Sequence, residues 1–114
     1  MAVYASNIVI EQGFDFETTF ELENALTNQP LDLSSFNTPE AKLRKSYSSS
    51  TSYDFSASFV DELDGKFLIS MGSSITSQLK PGRYVYDVKL TTSATGRSEK
   101  AVEGSAIVRG GVTK

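Results

Sequence analysis

Apolar and polar residues in this chain alternate far more often than they recur at helical spacing. Phe14, Phe16, Thr18, Phe20 and Leu22 alternate with Asp15, Glu17, Thr19, Glu21 and Glu23. Successive side chains of a strand point to opposite faces, so this run predicts a strand with a largely apolar inner face and a carboxylate-rich outer one. The same period recurs over Tyr53–Val60, with Tyr53, Phe55, Ala57 and Phe59 inward. It recurs again over Arg83–Thr91, with Tyr84, Tyr86, Val88 and Leu90 inward. Shorter runs at Asn7–Glu11, Ala41–Lys45, Lys66–Met71 and Lys100–Val108 complete a set of about seven strands. Ala41–Lys45 is the more polar of these, which places it near a sheet edge. Gly104 in the last strand predicts a bulge or a close backbone approach.

Turn signals separate the strands. Gly13 punctuates the first boundary, Thr27–Pro30 and Ala94–Arg97 mark others, and Ser48–Ser52 reads as an exposed hairpin tip. In Asp61–Gly65 the Asp-Gly pair supplies a residue that tolerates positive φ. Asp32–Phe36 reads as a loop that tucks Leu33 and Phe36 under the sheet. Ser73–Leu79 predicts a single helical turn with a serine cap, Ile75 and Leu79 sharing one side. The whole is an all-β, antiparallel sandwich with at most one short helical turn, a single domain over residues 1–114.

Ahead of the Arg83–Thr91 strand stands Leu79-Lys80-Pro81-Gly82-Arg83-Tyr84. Leu79, Pro81, Gly82 and Tyr84 resemble the tyrosine corner of Ig-like sandwiches, in which a phenol hydroxyl ties the loop to the sheet. An ordinary sheet-crossing turn beside a half-buried aromatic fits the same residues. Either way the segment is architecture rather than chemistry.

Composition narrows the chemistry. Seven Phe and five Tyr, with no Trp, supply the rings of a core that needs no staples. Without cysteine there is no disulfide, thiolate metal site or thiol nucleophile, which fits folding in a reducing cytoplasm. Without histidine, triad catalysis, His-based zinc sites and the usual neutral-pH base are gone. A net charge of −3 argues against a nucleic-acid partner. No apolar run approaches the ~18 residues of a membrane span. Met1–Ser6 lacks the cationic and apolar regions of a signal peptide, so synthesis and release in the cytoplasm are expected. No cofactor is implied.

Two groups of residues are candidates for contact. Asp15, Glu17, Glu21 and Glu23 line one side of a strand, where residues two apart stand about 7 Å from each other. The plainer reading is a solvated outer face. The sharper one is a subunit contact, meeting Lys42, Arg44 or Lys45 of a neighbouring copy. A glycosidase pair needs carboxylates ~5–9.5 Å apart, a spacing any acidic strand meets, so no catalytic residue is assigned. Tyr47 and Tyr53 flank the serine-rich tip; they either cover the end of the sandwich or offer rings to a sugar or a protein partner. Asp61, Glu62 and Asp64 lack the alternating ligands of a calcium loop and read as a turn, so no metal site is expected.

Asn7–Phe16, Asp61–Gly65, Leu79–Asp87, and Val102–Val108 followed by Val112-Thr113 occur in that order along the chain. In these segments the chain resembles a small family of virion structural proteins of tailed bacteriophages, especially T-even-type phages of cyanobacteria. It is also similar to the Ig-like N-terminal domain of baseplate upper proteins from phages of Gram-positive hosts, which continue into further domains that these residues do not contain. The resemblance implies an Ig-like building block of a phage tail, baseplate or neck, partnered by other virion proteins and by its own copies. It brings no catalytic residues. Met1–Ser6 and Gly110–Lys114 are then expected outside the core, in subunit contacts. A host-surface carbohydrate or adhesion module on the virion exterior, carried by Tyr47 and Tyr53, is the alternative.

Overall fold

The computed structural model describes residues 4–23 and 29–113. Met1–Val3, Thr27, Asn28 and Lys114, to which expectations were attached above, lie outside these residues. The described elements are β1 (Tyr4–Ala5), β2 (Ile8–Glu11), β3 (Phe16–Glu21), β4 (Glu40–Arg44), β5 (Ser52–Asp61), β6 (Lys66–Met71), α1 (Ser73–Thr76), β7 (Gly82–Thr91) and β8 (Ser98–Arg109). Strand neighbours run β1–β8–β7–β4–β5–β6–β3, with β2 also against β8. The fold is all-β with one short helical turn, as the alternation predicts.

One strand serves both layers. Ser52–Phe55 of β5 pairs with β4, whereas Ser56–Asp61 pairs with β6. The sheet curls at β5, so that β3 and β6 face β4, β7 and β8. Ring contacts bridge the gap: Phe16 lies 5.9 Å from Phe55, and Phe55 lies 6.2 Å from Tyr86. Phe67, Ile69, Leu43, Val88, Leu90, Val102 and Leu33 are wholly buried between the layers. Each such side chain contributes roughly 1.5–3 kcal/mol relative to exposure. Leu33 and Phe36 tuck in as their loop predicts, Phe36 bridging to Thr92.

Four expectations need correction. The sheet is mixed rather than purely antiparallel, because β1 and β2 run parallel to β8. Ala41–Lys45 is no edge: β4 is flanked by β5 and β7. Its outward Glu40 and Lys42 are exposed while Ala41 and Leu43 are buried, and so short a one-sided strand reads as polar. Phe14 is 48% exposed instead of inward, because Gly13 turns at φ +85° and β3 begins only at Phe16. The helical turn has Gly72 at its N-cap with no side-chain cap. Asp15 supplies the acceptor instead, its carboxylate receiving the Ser73 N–H at 2.7 Å.

The N-terminal segment also departs from expectation. Tyr4↔Val102 and Ile8↔Ala106 keep one register, and between them the chain dips inward at Ser6. The Ser6 carbonyl occupies the space an inward side chain at position 104 would need; a Cβ on Gly104 would overlap it. Gly104 thus marks a close approach, while the ladder irregularity falls elsewhere, between Val88 and Lys89 of β7. The Tyr86 hydroxyl, inward from the neighbouring strand, donates to that same carbonyl. Ser6 N–H donates to Glu103 O at 2.9 Å, and Asn7 Oδ1 accepts from Ser105 N–H at 3.0 Å. At the other terminus Gly111 packs on Gln12, its N–H donating to Oε1 at 3.4 Å, while Gly110, Val112 and Thr113 are exposed.

The corner before β7 is closed by Tyr84, whose hydroxyl donates to Lys80 O at 2.9 Å. Leu79 is wholly buried, and its carbonyl accepts from Gln12 Nε2 at 2.8 Å. Thr76, also wholly buried, donates to Phe14 O at 2.8 Å and accepts from Gly13 N–H at 3.2 Å. Helical turn, corner and the Gln12–Phe14 loop are one hydrogen-bonded unit.

Gly104→Ala is expected to cost more than about 2 kcal/mol, because the obstacle is backbone and cannot rotate away. Tyr84→Phe and Tyr86→Phe should each cost about 0.5–1.5 kcal/mol, because the Lys80 or Ser6 carbonyl loses its phenol donor. Urea denaturation of the three variants checks all of these; an unchanged midpoint for Tyr84→Phe means that its bond contributes nothing. Burial raises the pKa of both phenols above the ordinary value of 10.0, against the opposing pull of their hydrogen bonds. Above that value the unfolded chain releases these protons first, the folded chain binds more, and stability falls as pH rises. The denaturation midpoint should therefore decline above about pH 10, and less steeply in the Tyr84→Phe/Tyr86→Phe double variant.

Candidate functional site

The described strand order ends at β3, which is bonded on one side only. Its register with β6 runs from Phe16↔Met71 to Glu21↔Lys66, and the Leu22 N–H donates to Gly65 O at 2.9 Å just beyond. That bond sets the phase of the antiparallel ladder. Leu22, Phe20, Thr18 and Phe16 bond toward β6, so the backbone groups of Glu17, Thr19 and Glu21 point to the open side. Tyr4 meets Phe20 edge-on at 6.3 Å, which places the start of β1 close to this edge.

The outer face of β3 carries Glu17, Glu21 and Glu23, all exposed, with Thr19 between the first two. Asp15 is set apart from them by its bond to Ser73 at the cap of α1. The predicted row of four carboxylates is thus three carboxylates and one structural acceptor. Lys66 stands opposite Glu21 in register, yet among the described residues no ion pair reaches Glu17, Glu21 or Glu23.

The other layer differs. Across its outer surface Lys42 meets Asp54 at 3.5 Å, Lys89 meets Glu40 at 3.3 Å, and Arg109 meets Glu11 at 3.4 Å. Lys100 lies 3.8 Å from Asp87 and 3.3 Å from Glu103, and the hydrogen bond to Glu103 raises its pKa above the ordinary lysine value. Exposed pairs of this kind contribute little stability, typically below about 1 kcal/mol. Their effect is to neutralise that face. Among the described residues the acidic edge of β3 meets no cation.

The basic residues expected to meet such an edge are partly engaged within the chain. Lys42 is paired with Asp54, and Arg44 donates to Ser49 O at 2.6 Å. Lys45 sits 4.7 Å above the Tyr84 ring and forms no ion pair among the described residues. Tyr47 and Tyr53 do not form one site. Tyr47 is 76% exposed and borders a shallow hollow with Lys42, Arg44, Val85 and Asp87, whereas half-buried Tyr53 lines a separate one beside the tyrosine corner. Asp61 accepts weakly from Asp64 N–H within its own turn, and Gly65 there has φ +68°. Asp32 is held below the ordinary carboxylate range by its hydrogen bonds from Ser34. Among the described residues no three acidic groups converge as metal ligands would. No described helix is long and apolar enough to cross a membrane.

Sequence reasoning missed the buried polar latch of Gln12 and Thr76. A Gln followed by Gly ahead of an aromatic, and a Thr inside a serine-rich turn, carry no periodic signal. It also missed Ser6, whose role lies in its carbonyl and not its side chain.

No protein-family profile and no curated protein matches the sequence. Among solved structures, the N-terminal domain of phage TP901-1 ORF48 is similar, with 13% identity, 91% of this chain and 85% of that chain covered, and a TM-score of 0.55. InlP of Listeria monocytogenes aligns over 91% of this chain at 18% identity and a TM-score of 0.49; this chain spans 26% of its length. The NK cell receptor Nkp44 aligns over 96% of this chain and 100% of its own at 12% identity, with a TM-score of 0.48. The likeness to the phage domain is one of fold.

Proposed function

We propose that this chain is a non-enzymatic structural component of a tailed-phage particle, acting through interfaces with its own copies and with other virion proteins. The observation that carries this reading is the edge of β3. Over Glu17–Glu21, before Glu23 bridges to Pro30, it combines backbone groups that pair with no described strand and a carboxylate face that meets no cation among the described residues. Sandwiches commonly blunt such edges with lysine or proline, and here the edge itself has neither. An interface supplies both missing partners: backbone groups to pair with and positive charge to face Glu17, Glu21 and Glu23. The fold likeness to the N-terminal domain of phage TP901-1 ORF48 supports a phage protein, and a place in the tail, baseplate or neck is part of the proposal. A T-even-type cyanophage source belongs to the same proposal.

The mechanism is geometric. A sheet curled around an aromatic core holds its edge at a fixed angle, and contacts between unlike surfaces of successive copies close into a ring. The lack of Cys and His removes thiol nucleophiles and histidine bases, in keeping with a scaffold.

Light scattering of the purified chain is expected to give a mass above that of one copy, falling as ionic strength screens the acidic edge. Glu17→Lys/Glu21→Lys should reduce the assembly to single copies with an unchanged denaturation midpoint. A wild-type chain that stays single at every concentration, and alongside extracts of the phage particle, would sink the reading.

A further inference from the structure

Beside the tyrosine corner lies a hollow of about 380 Å³ between the β4–β5 hairpin and the segment joining α1 to β7. Its size falls in the range of small-ligand sites, roughly 300–1,000 Å³. Lys45 and Lys80 line it together with Thr51, Tyr53, Gln78 and Pro81, and no carboxylate does. Neither lysine forms an ion pair among the described residues. Two ammonium groups with no ion pair among the described residues thus border one concavity.

From this chemistry we infer that the hollow binds an acidic saccharide unit, one sugar ring bearing a carboxylate. The lysines answer the carboxylate with charge-assisted hydrogen bonds. The Thr51 hydroxyl and the Gln78 amide, one of whose protons goes to Ser74 O at 3.2 Å, supply donors and acceptors of the kind ring hydroxyls need. Tyr53 and Pro81 offer flat apolar surface for a ring face. The volume favours a sugar over the carboxylate of a neighbouring protein, which would occupy only a corner of it and leave the hydroxyl and amide groups unused. The floor is firm: Tyr84, carrying Lys45 above its ring, is fixed by its bond to Lys80 O. This site shares no residue with the β3 edge, and Tyr47 has no part in it.

The test is an NMR titration of the whole chain with uronic-acid and sialic-acid oligosaccharides, their neutral methyl esters, and a hexaglutamate peptide. The expected result is saturable shifts at Thr51, Tyr53, Gln78 and Lys80 with at least one acidic saccharide, lost with its ester. Lys80→Gln removes the charge but keeps the backbone carbonyl that Tyr84 uses, so folding should be intact while affinity falls about tenfold. Lys42→Gln, outside the hollow, should bind as the wild type does. No shift with any acidic saccharide overturns the assignment, as does equal binding of acid and ester. Equal or tighter binding of hexaglutamate overturns it in favour of an acidic protein segment. Self-assembly is read separately, by light scattering without any saccharide or peptide present.

Discussion

The constraint on which the rest of the architecture depends is the insertion of one backbone carbonyl into the core. Ser6 C=O takes the place of a side chain at Gly104 and is capped there by the Tyr86 hydroxyl. A partly buried carbonyl is stabilised by a donor, and the phenol supplies one. A side chain at 104 would collide with the inserted carbonyl. Three strands far apart in sequence are thereby tied to one arrangement: the first segment lies along β8 in this register because position 104 is glycine, and the hydroxyl at position 86 stabilises it there. The same geometry turns a short, weakly apolar N-terminal segment into part of the sheet.

How much of this was legible follows from which signals are local. The alternation of β3, β5 and β7 reports burial on one face directly, and Lys66–Met71 coincides with the observed β6 to the residue. Period-two patterning says nothing about strand direction or neighbours, so the parallel pairing of β1 and β2 and the interior place of β4 were beyond it. Phe14 continued a pattern in sequence that the backbone had already broken at Gly13. At Gly104 the residue type announced a close contact without saying with what.

Charge was legible as composition but not as arrangement. Counting residues gives a mildly acidic protein. Only the structure separates a face where opposite charges sit in pairs from an edge where Glu17, Glu21 and Glu23 meet no cation among the described residues. Asp15 shows the converse, since it belongs to the same acidic run yet serves α1 from 58 residues away. The two tyrosines beside the serine-rich tip were likewise neighbours in sequence and are parted by the hairpin between them.

The parallel course of β2 along β8 has a mechanical consequence. Tyr4 lies beside Val102 and Glu11 beside Arg109, so the described chain enters at one pole and departs at the opposite one, roughly 20 Å away at about 3.3 Å per residue. Tension applied to the two ends runs along these strands and across their hydrogen bonds, loading the whole ladder at once. Antiparallel terminal strands would part bond by bond, like a zipper; these must slide. Under pulling force the fold resists as a lap joint does.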